Sequence, residues 1–146
     1  MSTEEDATQD AMVQEDLNKL LGTALGMAQD QLETHGAFLP TALIVDNTGE
    51  VRMVAVSPED DGKDLDADSM IEDLYEALKQ QRNENRAAAV VSDIHLPDEN
   101  SDAIYVVAEH STSVAIAAIQ PYGEEGGQWS YKDPIWESAD ITVWGQ

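Results

Sequence analysis

SDAIYVVAEHSTSVAIAAIQPY, residues 101–122, reads as two strands joined by a short polar turn at Ser111, Thr112 and Ser113. Each arm is rich in Val, Ile, Ala and Tyr and is long enough to cross a small sheet. Before it, AAAVVSDIHL at 87–96 reads as a third long strand, turned into the pair by Pro97 to Asp102. A simple reversal there places His95 near Ile104 and Asp93 near Val106. Across the next turn Glu109 falls near Ala115.

Further upstream the pattern changes period. Val13, Leu17, Leu20, Leu21, Ala24, Leu25, Ala28 and Leu32 recur at helical spacing, with Asp16, Asp30 and Glu33 read as outside the stripe. A helix is expected from about residue 10 to His35, ended by Gly36 in a left-handed cap. Gly22 and Gly26 share a helix face, which suits close approach to a sheet or helix. Residues 1–10, acidic and without apolar periodicity, are expected to be disordered. Thr41–Val45 and Glu50–Val56 read as a hairpin about Asp46-Asn47-Thr48-Gly49, where Asn and Gly accept positive φ.

The run Ser57–Asp68, SPEDDGKDLDAD, invites comparison with a calcium-binding loop. Setting Gly62 as the turn glycine makes Ser57 the first ligand, Asp68 the last and Asp64 the apolar position. The match fails at these three points, and the run reads as a solvated loop. Ser69 with Glu72 forms a capping box for a second helix to about Asn85, with Ile71, Leu74, Tyr75 and Leu78 as its apolar stripe. Lys79, Arg82 and Arg86 complement its C-terminal dipole, although Arg86 equally suits the start of the next strand. After the GEEGG turn, Gln128–Lys132 reads as a short strand stopped near Pro134. Ile135 and Trp136 are expected on the core, and Ile141–Trp144 as an edge strand.

The 146 residues suit one domain, spanning 11–146 after the acidic start. The expected fold is α+β: two helices on one face of a mostly antiparallel sheet of five or six strands, in the order α-β-β-α-β-β-β with a further short strand.

Thirty Asp and Glu against seven Lys and Arg leave a formal net charge of −23. Such a surface repels phosphate backbones and anionic headgroups, so neither nucleic acid nor membrane is an expected partner. The charge suits adaptation to salt, a basic protein partner, or divalent cations. The absence of cysteine excludes disulfides, thiolate metal sites and thiol nucleophiles, and is compatible with the cytoplasm.

No phosphate-binding glycine loop, G-x-S-x-G or H-E-x-x-H is present. His35 reads as a helix C-terminal complement. Asp93 and His95 share a strand face, and with Glu109 and His110 they are the weak candidates for acid–base or metal chemistry. No cofactor is expected. Trp129, Trp136 and Trp144 either close one end of the core or, if exposed on an edge, anchor an interface.

The order of HGAFLPTALIVDNTGEV after a long helix, then AAAVVSDIHL, DAIYVVAEH and AIQPYG, resembles a family of small uncharacterised bacterial α+β proteins. The matching features are His35, Gly36, Phe38, Pro40, Gly49, Asp102, Glu109, His110, Pro121 and Tyr122, and the likeness covers roughly residues 15–135. The tryptophan-bearing C-terminus and the charge depart from that pattern. The resemblance implies a single α+β domain and supplies no catalytic residues to carry over. The function expected is a non-enzymatic binding or assembly module, homodimeric, or else an acidic inhibitor or immunity-like protein for a basic partner. A small enzyme using Asp93 and His95 is the remaining alternative.

Overall fold

In the computed structural model, residues 3–36, 38–54, 67–96, 101–112 and 114–144 are described, with backbone alone for 3–10, 67 and 68. The apolar stripe forms helix α1, Thr3–His35, which starts well before the expected residue 10 and makes the expected disordered segment helical from Thr3. Gly36 ends it with φ of 80° and donates to the Leu32 carbonyl at 2.7 Å, the left-handed cap its lack of a Cβ permits. Gly22 and Gly26 lie on the solvent side with nothing near a Cβ position, so no close approach explains them.

Strands β1, Thr41–Asp46, and β2, Val51–Val54, form the expected hairpin. β2 buries less than its sequence suggests: Arg52 and Met53 are exposed, while residues 55 and 56 lie outside the described region. Helix α2 spans Ala67–Gln80, so Ser69 sits inside the helix and not at its cap. Most of the acidic run tested for calcium, residues 57–66, also lies outside the described residues. β3, Asn85–Leu96, β4, Ser101–His110, and β5, Val114–Glu125, are the three long central strands. Two short strands, β6, Gln128–Tyr131, and β7, Ile135–Ser138, both pair with β5, at its end and its middle respectively.

The result is one antiparallel sheet in the order β2-β1-β3-β4-β5-β6, with β7 also beside β5. Seven strands are described where five or six were expected. The added strand is β7: Ile135 and Trp136 lie in it, exposed, and do not join the core. Ile141–Trp144 is not a strand. Instead Val143 plugs the core and Trp144 rests beside it.

The helices lie on opposite faces of the sheet, contrary to the single face expected. Successive residues of a strand point to opposite sides. Leu43, Val45, Ala87, Ala89 and Val91 pack with α1, whereas Ala42, Ile44, Ala88 and Val90 pack with α2. The apolar run of β1 and the alanine–valine run of β3 have no polar face, so each side needs a helical cover. Small alanine side chains let both covers sit close.

Candidate functional site

The buried polar side chains separate into two groups, one on each face of the sheet. On the α1 face, Asp16 is 1% exposed. Its Oδ1 accepts from Arg86 Nη2 at 3.0 Å, and its Oδ2 lies 2.9 Å from Arg86 Nε and 3.0 Å from His110 Nε2. The Nε contact is an ion pair lacking the alignment of a hydrogen bond. His110 Nδ1 faces the backbone N–H of Thr112 at 3.3 Å and its hydroxyl at 3.1 Å. A backbone N–H only donates, so Nδ1 accepts and the ring proton resides on Nε2, pointing at Asp16. Burial pushes the Asp16 carboxyl up, but the hydrogen bonds from Arg86 and His110, with the charge of Arg86, outweigh it and hold the carboxyl below its ordinary range. This cluster joins α1, the start of β3 and the β4–β5 turn. Asp16 lies on the buried face of α1, not outside the apolar stripe as its charge suggests. It stands three residues after Val13 and four before Leu20, which is on the stripe, and that spacing was the signal.

On the α2 face, Glu109 is 2% exposed and accepts from the backbone N–H groups of Thr142 and Trp144. Those bonds strap residues 138–144 over the sheet. Trp144 Nε1 donates to the Arg82 carbonyl at 3.2 Å, and Arg82 Nη1 donates to the Val143 carbonyl at 3.3 Å.

The four acid–base candidates are therefore not one constellation. Register places Asp93 opposite Ile104 and His95 opposite Asp102, two residues from the expected pairing, because the ladder runs on through Leu96 and Ser101. Glu109 does lie opposite Ala115, as expected. Asp93 accepts from Tyr122 Oη at 2.8 Å, and His95 Nδ1 lies 2.9 Å from Asp102 Oδ1 in an exposed contact. His110 pairs with Ala87, six residues along β3 from Asp93, or roughly 20 Å at strand spacing. Glu109 occupies the other face. Burial raises the Asp93 carboxyl, and the Asp102 charge adds to this against the Tyr122 hydrogen bond, which lowers it. Among the described residues no three His, Asp or Glu side chains stand together to hold a metal. His35 lines an apolar recess of about 410 Å³ with Met27, Phe38 and Met53.

The tryptophans also part company. Trp129 is partly buried against the α1-side core, with its ring centroid 5.9 Å from that of Tyr122. Trp144 is partly buried against the other core. Trp136 alone is half exposed, at 52%, with Ile135 at 46%. It borders a groove of about 510 Å³ between α1 and β5–β7, floored by Leu17, Leu21 and Ile116. The groove lining includes Glu137 and no basic side chain. Among the described residues, β7 has β5 as its sole strand partner. No described helix is long and apolar enough to cross a membrane. The chain matches no protein-family model, no curated protein and no solved structure.

Proposed function

We propose that this protein is a non-enzymatic binding module that takes up a segment of a basic protein along β7, anchored on Trp136. The observation that carries the reading is Trp136, half exposed on an edge strand beside an apolar groove. A large aromatic ring in that position gains most from being covered, and an open strand edge offers unpaired backbone groups to an incoming strand. The net charge of −23 selects the partner: it attracts a cationic segment and opposes a second copy of the same chain. The resemblance to small bacterial proteins without assigned activity sits with this reading and adds no chemistry to it.

Self-association is the second reading, favoured by the open β7 edge, which two copies share and can pair antiparallel about a two-fold axis. One titration separates the two. A short peptide alternating Lys and Val is added to the full chain while tryptophan emission is followed, with a Glu–Val peptide as control. The expected result is binding of the Lys–Val peptide that weakens as salt rises and is lost in Trp136→Ala. A concentration-dependent dimer in sedimentation, persisting in high salt and abolished by Trp136→Ala, would overturn the basic-partner reading in favour of self-assembly. No response to either peptide, without a dimer, would overturn both.

A further inference from the structure

The α2 face carries a second recess, separate from the β7 surface. Three successive cross-strand pairs of β3 and β4 share that face: Ser92 with Tyr105, Val90 with Val107, and Ala88 with Glu109. Helix α2 is only 14 residues long and covers part of this surface, with Leu74 and Leu78 fully buried. The C-terminal strap, held down by Glu109, covers another part. Between them remains a recess of about 440 Å³. Its floor is Val90, Ile94 and Val107, one wall is α2 through Ile71 and Tyr75, and the other is the strap.

We infer that this recess is a binding site for a small organic cation, an ammonium group carried on an apolar body. The size falls within the roughly 300–1,000 Å³ of small-molecule sites, and an aliphatic floor edged by placed polar groups is their usual lining. The polar members are the phenols of Tyr75 and Tyr105, the hydroxyls of Ser92, Ser138 and Thr142, and the Asp140 carboxylate on the exposed rim. No basic side chain lines the recess, so nothing there would balance an anion. Tyrosine rings accept a cation over their faces, and Asp140 supplies the opposite charge at the mouth.

The buried carboxylate of Glu109, next along the same face from Val107, supports the same sign. Burial, then the charge of Glu109, then Tyr105, raise the Tyr75 phenol to about 12. Glu109 keeps two backbone N–H partners, so its negative field persists while its oxygens serve the strap. Burial disfavours a charge of either sign, so it is the Glu109 charge alone, the second cause, that favours a positive ligand beside Tyr75. This site stands independently of the β7 reading, since it lies on the opposite face and shares with that groove only Ser138, the last residue of β7.

The test is an amide NMR titration of the full chain with benzylammonium, run in parallel with benzoate, which has the same ring and the opposite charge. The expected result is a saturable shift of the Ser92, Tyr105 and Thr142 amides with benzylammonium and none with benzoate. Asp140→Asn, an exposed change that leaves the core intact, should weaken binding about fivefold, the scale of a partly exposed charge pair. Trp136→Ala should leave the titration unchanged, which keeps this outcome apart from that at β7. Equal shifts with benzoate, no saturation at those three amides, or indifference to Asp140→Asn would overturn the site.

Discussion

Asp16 and His110, ninety-four positions apart, meet at 3.0 Å between the first helix and the end of β4. The contact turns one carboxylate into a three-way joint, because Arg86 grips the same group from the start of β3. Removing one member of a buried ionic cluster leaves the others uncompensated. Asp16→Ala should therefore destabilise the protein by about 3 kcal/mol, read by urea unfolding at pH 7. The sign of the pH dependence follows from the lowered carboxyl. The stability Asp16 contributes is present above the ordinary carboxylate range and lost as pH falls through its lower folded value. An acid limb of the stability curve that is as steep in Asp16→Ala as in the parent chain would refute this account.

Asp93 behaves in the opposite sense. Its carboxyl is raised, so its contribution is present at low pH and lost as pH rises through the folded value. Asp93→Asn keeps an oxygen to accept the Tyr122 hydroxyl and removes the charge. It should raise the melting temperature at pH 7, with the gain shrinking toward pH 3 as the parent carboxyl becomes protonated. A lower melting temperature at pH 7 would show that the ionised form is the one the fold uses.

Glu109 anchors the C-terminal strap by accepting two backbone N–H groups. Glu109→Ala leaves those donors without their acceptor and should cost about 2–3 kcal/mol. Hydrogen exchange should quicken at Thr142 and Trp144 before any other described amide. Unchanged exchange there would mean the strap is held by Val143 and Trp144 packing alone.

Gly49 closes the β1–β2 turn with φ of 93°, and a Cβ there would stand 3.2 Å from Arg86 Nη2. Gly49→Ala should cost roughly 1–2 kcal/mol from the left-handed backbone alone. Asp46, beside it, stabilises the same turn. The Thr48 hydroxyl, then the Glu50 backbone N–H, hold its carboxyl down to about 2, overcoming some burial. The hairpin should therefore keep its amide protection until pH falls through about 2, and Asp46→Asn should remove that dependence.

Helical spacing from Val13 to Leu32, the Asp46–Gly49 turn and the three long strands were legible in the chain, because each is a local pattern of side chains or a local backbone preference. The cap at Gly36 belongs with them. The two-sided cover of the sheet was half legible: an alanine–valine run without a polar face signals burial on both sides, but not which helix lies where. Asp16 shows what a periodicity reading overlooks, since a single acid on an apolar face makes sense only once its partners are known.

Sequence alone therefore determined the two helices in outline, the β1–β2 hairpin, the three long strands and a net charge of −23, but not the helical start of α1, β7 or the irregular path of Ile141–Trp144. Only the tertiary structure decided that Asp16 meets Arg86 and His110, that Asp93 and His95 stand far from Glu109, and that Trp136 remains uncovered while Trp129 and Trp144 do not. The reason is physical. Backbone preference and apolar spacing act over a few residues, whereas these relationships depend on strand register and on the face each side chain takes, which are set by the packing of the whole sheet between its two helices.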